Sequence, residues 1–165
     1  MSASIFENLF VLELANNHWG KLERGLKIIS DFARVVRFND VHAAIKLQFR
    51  DVDSFVHKDF RDRADVRYIK KTLDTQMPWE NLRAMVEAVR EAGMVTMVTP
   101  FDEVSVDKCV EFGVDILEIA HERVALEVVV AGAQRAEPAR DLLIERADVR
   151  GQKAVQLEQI ALGFA

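Results

Sequence analysis

Hydrophobic positions along this chain switch repeatedly between a period of two residues and a period of three to four. The stretch Phe10 to Gly20 (FVLELANNHWG) opens as an apolar strand that hands a carboxylate, two amides and an imidazole (Glu13, Asn16, Asn17, His18) into a glycine turn. Ala44 to Phe49 alternates, with Lys46 and Gln48 on one face and Ile45, Leu47 and Phe49 on the other. Buried faces do not normally carry lysine, so the Lys46 face is set aside for something other than core. Met94 to Asp102 ends in Thr-Pro-Phe, where Pro100 withholds a ladder donor and leaves the Thr99 hydroxyl at the carboxyl end. Val114 to Ala120 reads as a fourth strand.

Between these runs the period lengthens. Leu22, Leu26, Ile29, Ala33 and Val36 share one helical face, which predicts a helix over Lys21 to Val36. Trp79 to Ala92 repeats the pattern with Leu82, Met85, Val86 and Val89, started near Pro78 and stopped at Gly93. Ser105 to Phe112 gives a shorter helix with Val106, Cys109 and Val110 inward, ended by Gly113. The order is βαβαβαβ, which implies a parallel sheet with right-handed crossovers and a ligand site beyond the carboxyl ends of the strands. Arg50 to Met77 is a long, charged connection bearing Phe55, His57, Phe60 and Tyr68, the length expected of a functional loop or lid.

Composition narrows the class. In 165 residues, half of them hydrophobic, there is enough apolar chain for one domain with a real core. Acidic residues outnumber basic ones by 27 to 22, for a net charge of −5, which argues against general nucleic-acid binding. The single cysteine, Cys109, lies outside any zinc-type spacing and reads as a small core residue. His42, His57 and His121 lack partner spacing and read as solvent-facing or locally satisfied. With neither a signal-peptide pattern at the N-terminus nor a run of about 20 apolar residues, a cytoplasmic location without membrane contact is expected.

The three polar strand ends together resemble the sialic acid (N-acetylneuraminate) synthase family over roughly Phe10 to Ala120. LELANNHWG resembles that family's Glu-Ile-Gly-x-Asn-His-x-Gly through Glu13, Asn17, His18 and Gly20. Its Lys-x-Gln strand is matched by Lys46 and Gln48, and its Ser-Thr-Pro-Phe by Val98, Thr99, Pro100 and Phe101. The resemblance implies a (β/α)8 barrel with its active site at the carboxyl face. A whole barrel takes about 250 residues, so residues 1–120 are expected to form its first half, about four βα units. It also implies condensation of phosphoenolpyruvate with an N-acetylated sugar such as N-acetylmannosamine, assisted by a divalent manganese or magnesium ion. Lys46, Gln48 and Thr99 would contact phosphoenolpyruvate, and Asn17 joins them as a substrate-binding candidate. Glu13 would position the sugar or the attacking water, and His18 would shape the first loop; these two are the catalytic candidates.

Two departures from the family pattern stand out. Where members carry lysine on the fourth strand, this chain has Glu118, and nothing after Ala120 resembles the histidines that hold the metal, so no metal ligand is assigned. Residues 121–165 change composition and are expected to be a helical tail, divergent or produced by a frameshift. Four barrel strands leave two open edges, so a homodimer is a further expectation. Two alternatives stand beside the truncated, inactive synthase. One is a noncatalytic phosphate- or anion-binding module. The other is a compact doubly wound α/β domain with helices over Arg123 to Ala133 and Ala136 to Arg146. For Glu13, simple pairing with Lys46 across the sheet is the plain structural reading.

Overall fold

The computed structural model describes residues 5–63 and 65–118, together with the strand segments Leu143–Ile144 and Glu158–Gln159. Four strands form one parallel sheet in the order β1 (Phe10–Ala15), β2 (Ala43–Phe49), β3 (Val95–Pro100) and β4 (Ile116–Leu117). The crossovers are α1 (Leu22–Asn39), α4 (Trp79–Glu91) and α5 (Glu103–Phe112). Each element falls where the change of period predicts it, with ends moved by at most three residues.

One face of the sheet makes the main core. Leu14, Ile45, Leu47, Phe49, Val98 and Leu117 pack against Ile29 and Ala33 of α1, Met85, Val86 and Val89 of α4, and Val106, Cys109 and Phe112 of α5. Phe49 meets Trp79 and Phe112 edge-on, with ring centroids 5.9 and 6.0 Å away, anchoring β2 to both neighbouring helices. Cys109 is a buried member of this cluster, and burial raises its thiol pKa well above the ordinary value.

The opposite face is graded from end to end. At its amino end Ala44, Met97 and Ile116 form a smaller apolar cluster covered by Ile5, Phe6 and Leu9. At its carboxyl end the same face carries Glu13, Lys46, Gln48, Thr99 and Glu118. The N-terminal segment therefore closes one end of what would be a barrel lumen, and the polar end stays open. Sequential strand order, with the crossover helices sharing one core, is the arrangement of successive barrel units. A doubly wound sheet reverses its strand order and covers both faces with helices, so that alternative is overturned.

The long connection after β2 is built rather than loose. It holds a short helix α2 (Val52–Phe55), a 3-10 turn (Lys58–Phe60) and α3 (Arg67–Asp74). In the C-terminal segment, β5 (Leu143–Ile144) pairs antiparallel with β6 (Glu158–Gln159), so extended backbone stands inside the stretch expected as a helix over residues 136–146. His121 and the segment Arg123 to Ala133 lie outside the described residues. Among the described residues no helix is long and apolar enough to cross a membrane.

Candidate active site at the carboxyl ends of the strands

Register brings the predicted side chains together. Glu13 is paired with Lys46, and Gln48 with Thr99, across three parallel strands. Lys46 Nζ lies 2.6 Å from Glu13 Oε2 and 2.9 Å from Glu118 Oε1, and the Thr99 hydroxyl donates to the other oxygen of Glu118. Burial works against the lysine charge, but the bonds to Glu13 and Glu118 outweigh it and raise the ammonium above an ordinary lysine. One cation thus sits between two carboxylates, and the plain pairing of Glu13 with Lys46 is present in the structure. The Glu118 carboxylate takes the direction that strand parity predicts and closes over Lys46.

The turn after β1 reaches the site through an irregularity. The β1–β2 register shifts between Glu13 and Ala15, and Ala15 adopts a left-handed φ of 47°. Such a bulge moves every later side chain by one position. Asn16, not Asn17, is therefore turned toward β2, where its Nδ2 donates to Gln48 Oε1 at 3.0 Å. Asn17 is exposed, so the structure does not bring it to the cleft. His18 is 2 % exposed, and its Nδ1 accepts the Gly20 N–H at 3.0 Å. Burial lowers its pKa to about 4, which makes it a neutral imidazole with the remaining proton on Nε2.

Asn16, His18, Gln48 and Arg50 line a small cleft, partly open to solvent and roofed by Thr72, Thr75 and Gln76. Gly20 permits that roof. Its φ is +69°, and a Cβ there would stand 2.8 Å from the Gln76 carbonyl oxygen. Arg50 was not a sequence candidate, although 46, 48 and 50 continue one alternating face. Its guanidinium carbon lies 4.7 Å from the ring centroid of Phe55 and 4.2 Å from that of Phe101. Burial lowers the Arg50 pKa, with Tyr68 and Asp102 opposing the shift.

The resemblance implies a divalent metal, and the described residues do not fit one. Among them no three His, Cys, Asp or Glu side chains converge as a metal site. Glu13 and Glu118 are already joined through the Lys46 ammonium.

Comparison with known proteins agrees with this geometry. The NeuB family matches residues 39–138, beyond Ala120, where the recognisable motifs end. A spore coat polysaccharide biosynthesis protein E from Chromobacterium violaceum is 31 % identical with a TM-score of 0.75, over 87 % of this chain and 42 % of that one. An N-acetylneuraminic acid (sialic acid) synthetase from Leptospira borgpetersenii, solved with citrate, is 17 % identical with a TM-score of 0.54, over 86 % of this chain and 54 % of that one. The second likeness shows the fold alone. No curated protein matches the chain. The chain spans about half the length or less of these two solved structures. With more than half its residues matched and the parallel βα units in place, this chain belongs to the NeuB family.

Proposed function

We propose that this chain carries the phosphoenolpyruvate-facing part of a sialic acid synthase-type site. In that reaction carbon three of phosphoenolpyruvate bonds to the aldehyde carbon of an open-chain N-acetylated sugar such as N-acetylmannosamine. Water adds to carbon two, phosphate leaves, and the aldehyde oxygen takes up a proton. The observation that supports the reading is the registered convergence of Glu13, Lys46, Gln48 and Thr99 at three adjacent strand ends. Lys46, Gln48 and Thr99 supply a cation, an amide and a hydroxyl to an anionic, oxygen-rich substrate. Glu13, nearly half exposed, is the carboxylate available to orient a sugar hydroxyl or water. His18 acts through the turn, holding Gly20 and the cleft wall in place. The compartment proposed is the cytoplasm.

A second reading has its own observation. Glu118 stands where the family pattern carries a lysine and closes on Lys46, which suits a module that has lost turnover, and Arg50, in a cleft wall without a carboxylate, is the cation left to hold an anion. Calorimetric titration with phosphoenolpyruvate, followed by a phosphate-release assay with N-acetylmannosamine and manganese, separates the two. Saturable binding with sugar-dependent phosphate release supports the synthase. Binding without release supports the module, and no binding overturns both.

A further inference from the structure

Arg50 differs from every other cation near the site. Its guanidinium carbon lies in the corner between two rings, 4.7 Å from the centroid of Phe55 and 4.2 Å from that of Phe101, and the rings themselves are 6.2 Å apart and steeply inclined to each other. Its Nε is buried and meets no acceptor among the described residues, a state that calls for an explanation in a folded protein. Asp102, whose charge acts on Arg50, makes its hydrogen bonds elsewhere. Asp102 accepts the Asp51 N–H at 2.8 Å on one oxygen and the Ser105 N–H at 2.7 Å on the other. Asp51 accepts the Ser54 N–H.

The cleft that Arg50 lines has no carboxylate in its wall. His18 is neutral there, so Arg50 supplies the only formal charge among the cleft-lining residues. The contrast with Lys46, whose charge two carboxylates outweigh, is direct. The two rings hold the guanidinium in place without giving its buried Nε an acceptor, and the donor fork of an arginine matches an oxyanion with two parallel N–H···O bonds. Asn16 and Gln48 stand beside it in the same wall to supply further hydrogen bonds.

We propose that Arg50, held against Phe55 and Phe101, is the principal oxyanion-binding side chain of this cleft, taking a carboxylate or phosphate group on its N–H donor fork. For the identity of the substrate, this rests on the synthase-type reading above. Phosphoenolpyruvate carries both groups, and the cleft lies at the same strand ends as Lys46, Gln48 and Thr99. Arg50 then supplies the positive charge that Glu118 cancels at Lys46.

The test is calorimetric titration of the full chain with phosphoenolpyruvate, pyruvate and inorganic phosphate, in the wild type and in Arg50→Lys and Arg50→Gln. Thermal melts show that each variant is folded. Arg50→Lys keeps the charge and loses the fork, so its affinity should fall by roughly tenfold or more, the scale of a lost charge-assisted hydrogen bond. Arg50→Gln should fall further. Loss for phosphate but not pyruvate assigns the phosphate end, and the reverse assigns the carboxylate end. If the wild type binds phosphoenolpyruvate and both folded variants bind it equally well, the inference is overturned and the synthase-type reading stands. If phosphate binds in an Arg50-dependent way but phosphoenolpyruvate does not, the inference stands and that reading fails. Absence of binding by all three ligands overturns the inference. If a melt shows that Arg50→Gln does not fold, Arg50→Lys alone decides.

Discussion

Glu118 holds Lys46 at 2.9 Å, and its second carboxylate oxygen accepts the Thr99 hydroxyl, so one side chain occupies two of the groups proposed to contact phosphoenolpyruvate. Glu118 is only 15 % exposed and Lys46 17 %, so solvent screens the pair weakly. An incoming anion must displace the carboxylate or bind beside it.

Glu118→Gln removes that competing charge and keeps an oxygen able to accept from Thr99. Phosphoenolpyruvate should bind about threefold to tenfold more tightly, equivalent to about 0.7–1.4 kcal/mol. Titration of the variant beside the wild type measures this directly. Equal or weaker affinity would mean that Glu118 does not compete with the ligand.

The same triad sets a stability limit at high pH. The Lys46 pKa is raised in the folded chain, so its contribution is fully present below the unfolded value of about 10.5. It is lost as pH rises through the higher folded value. Denaturant melts from pH 9 upward should fall less steeply in Lys46→Met than in the wild type.

His18 gives the opposite edge. Its folded pKa is about 4 against 6.5 for an ordinary histidine, so below pH 6.5 the unfolded chain binds the extra proton and stability falls down to about pH 4. The full loss is on the order of 3 kcal/mol for this group alone. His18→Asn can still accept from the Gly20 N–H. It should flatten the wild-type loss between pH 6.5 and 4, and parallel curves would contradict the assignment of a buried neutral imidazole.

Gly20→Ala tests the cleft roof. A Cβ would meet the Gln76 backbone oxygen at 2.8 Å in a residue whose φ is +69°. A non-glycine residue in that conformation costs about 1–2 kcal/mol before the clash is added. The melting temperature should drop, and ligand affinity should drop with it because Gln76 and Thr75 form the roof.

Asp102→Ala removes the cap of α5 and the acceptor for the Asp51 N–H together. The expected cost is about 1–2 kcal/mol for the cap alone. Asp102→Asn keeps an acceptor for the Ser105 N–H and should recover part of the loss in a denaturant melt.

Most of the fold was legible because β1 to β4 and the three long helices obey one period each, and the parity of Lys46, Gln48 and Thr99 follows from alternation alone. The bulge at Glu13 to Ala15 was not legible. Strict alternation carries Glu13 to Asn17, whereas the shifted register carries it to Asn16. Arg50 continued the face of 46 and 48 in plain view, but its importance depends on Phe55 and Phe101, five residues away along the chain and across a strand pair. The Asp102 cap had a local signal, an acidic residue three positions before Ser105, that periodicity does not read. Leu143 and Ile144 sit in a stretch whose Ala, Arg and Glu content suggests helix, yet they pair as a strand with residues 158–159. That long-range pairing leaves no trace in local composition.

The most direct test is a crystal structure of the chain with phosphoenolpyruvate bound. The account predicts the ligand at the carboxyl ends of β1 to β3, with its oxygens within hydrogen-bond distance of Gln48, Thr99 and the Arg50 donor fork, and Glu118 drawn away from Lys46. Phosphoenolpyruvate bound elsewhere, with the Glu118–Lys46 pair undisturbed and the Arg50 donor fork free, would contradict it.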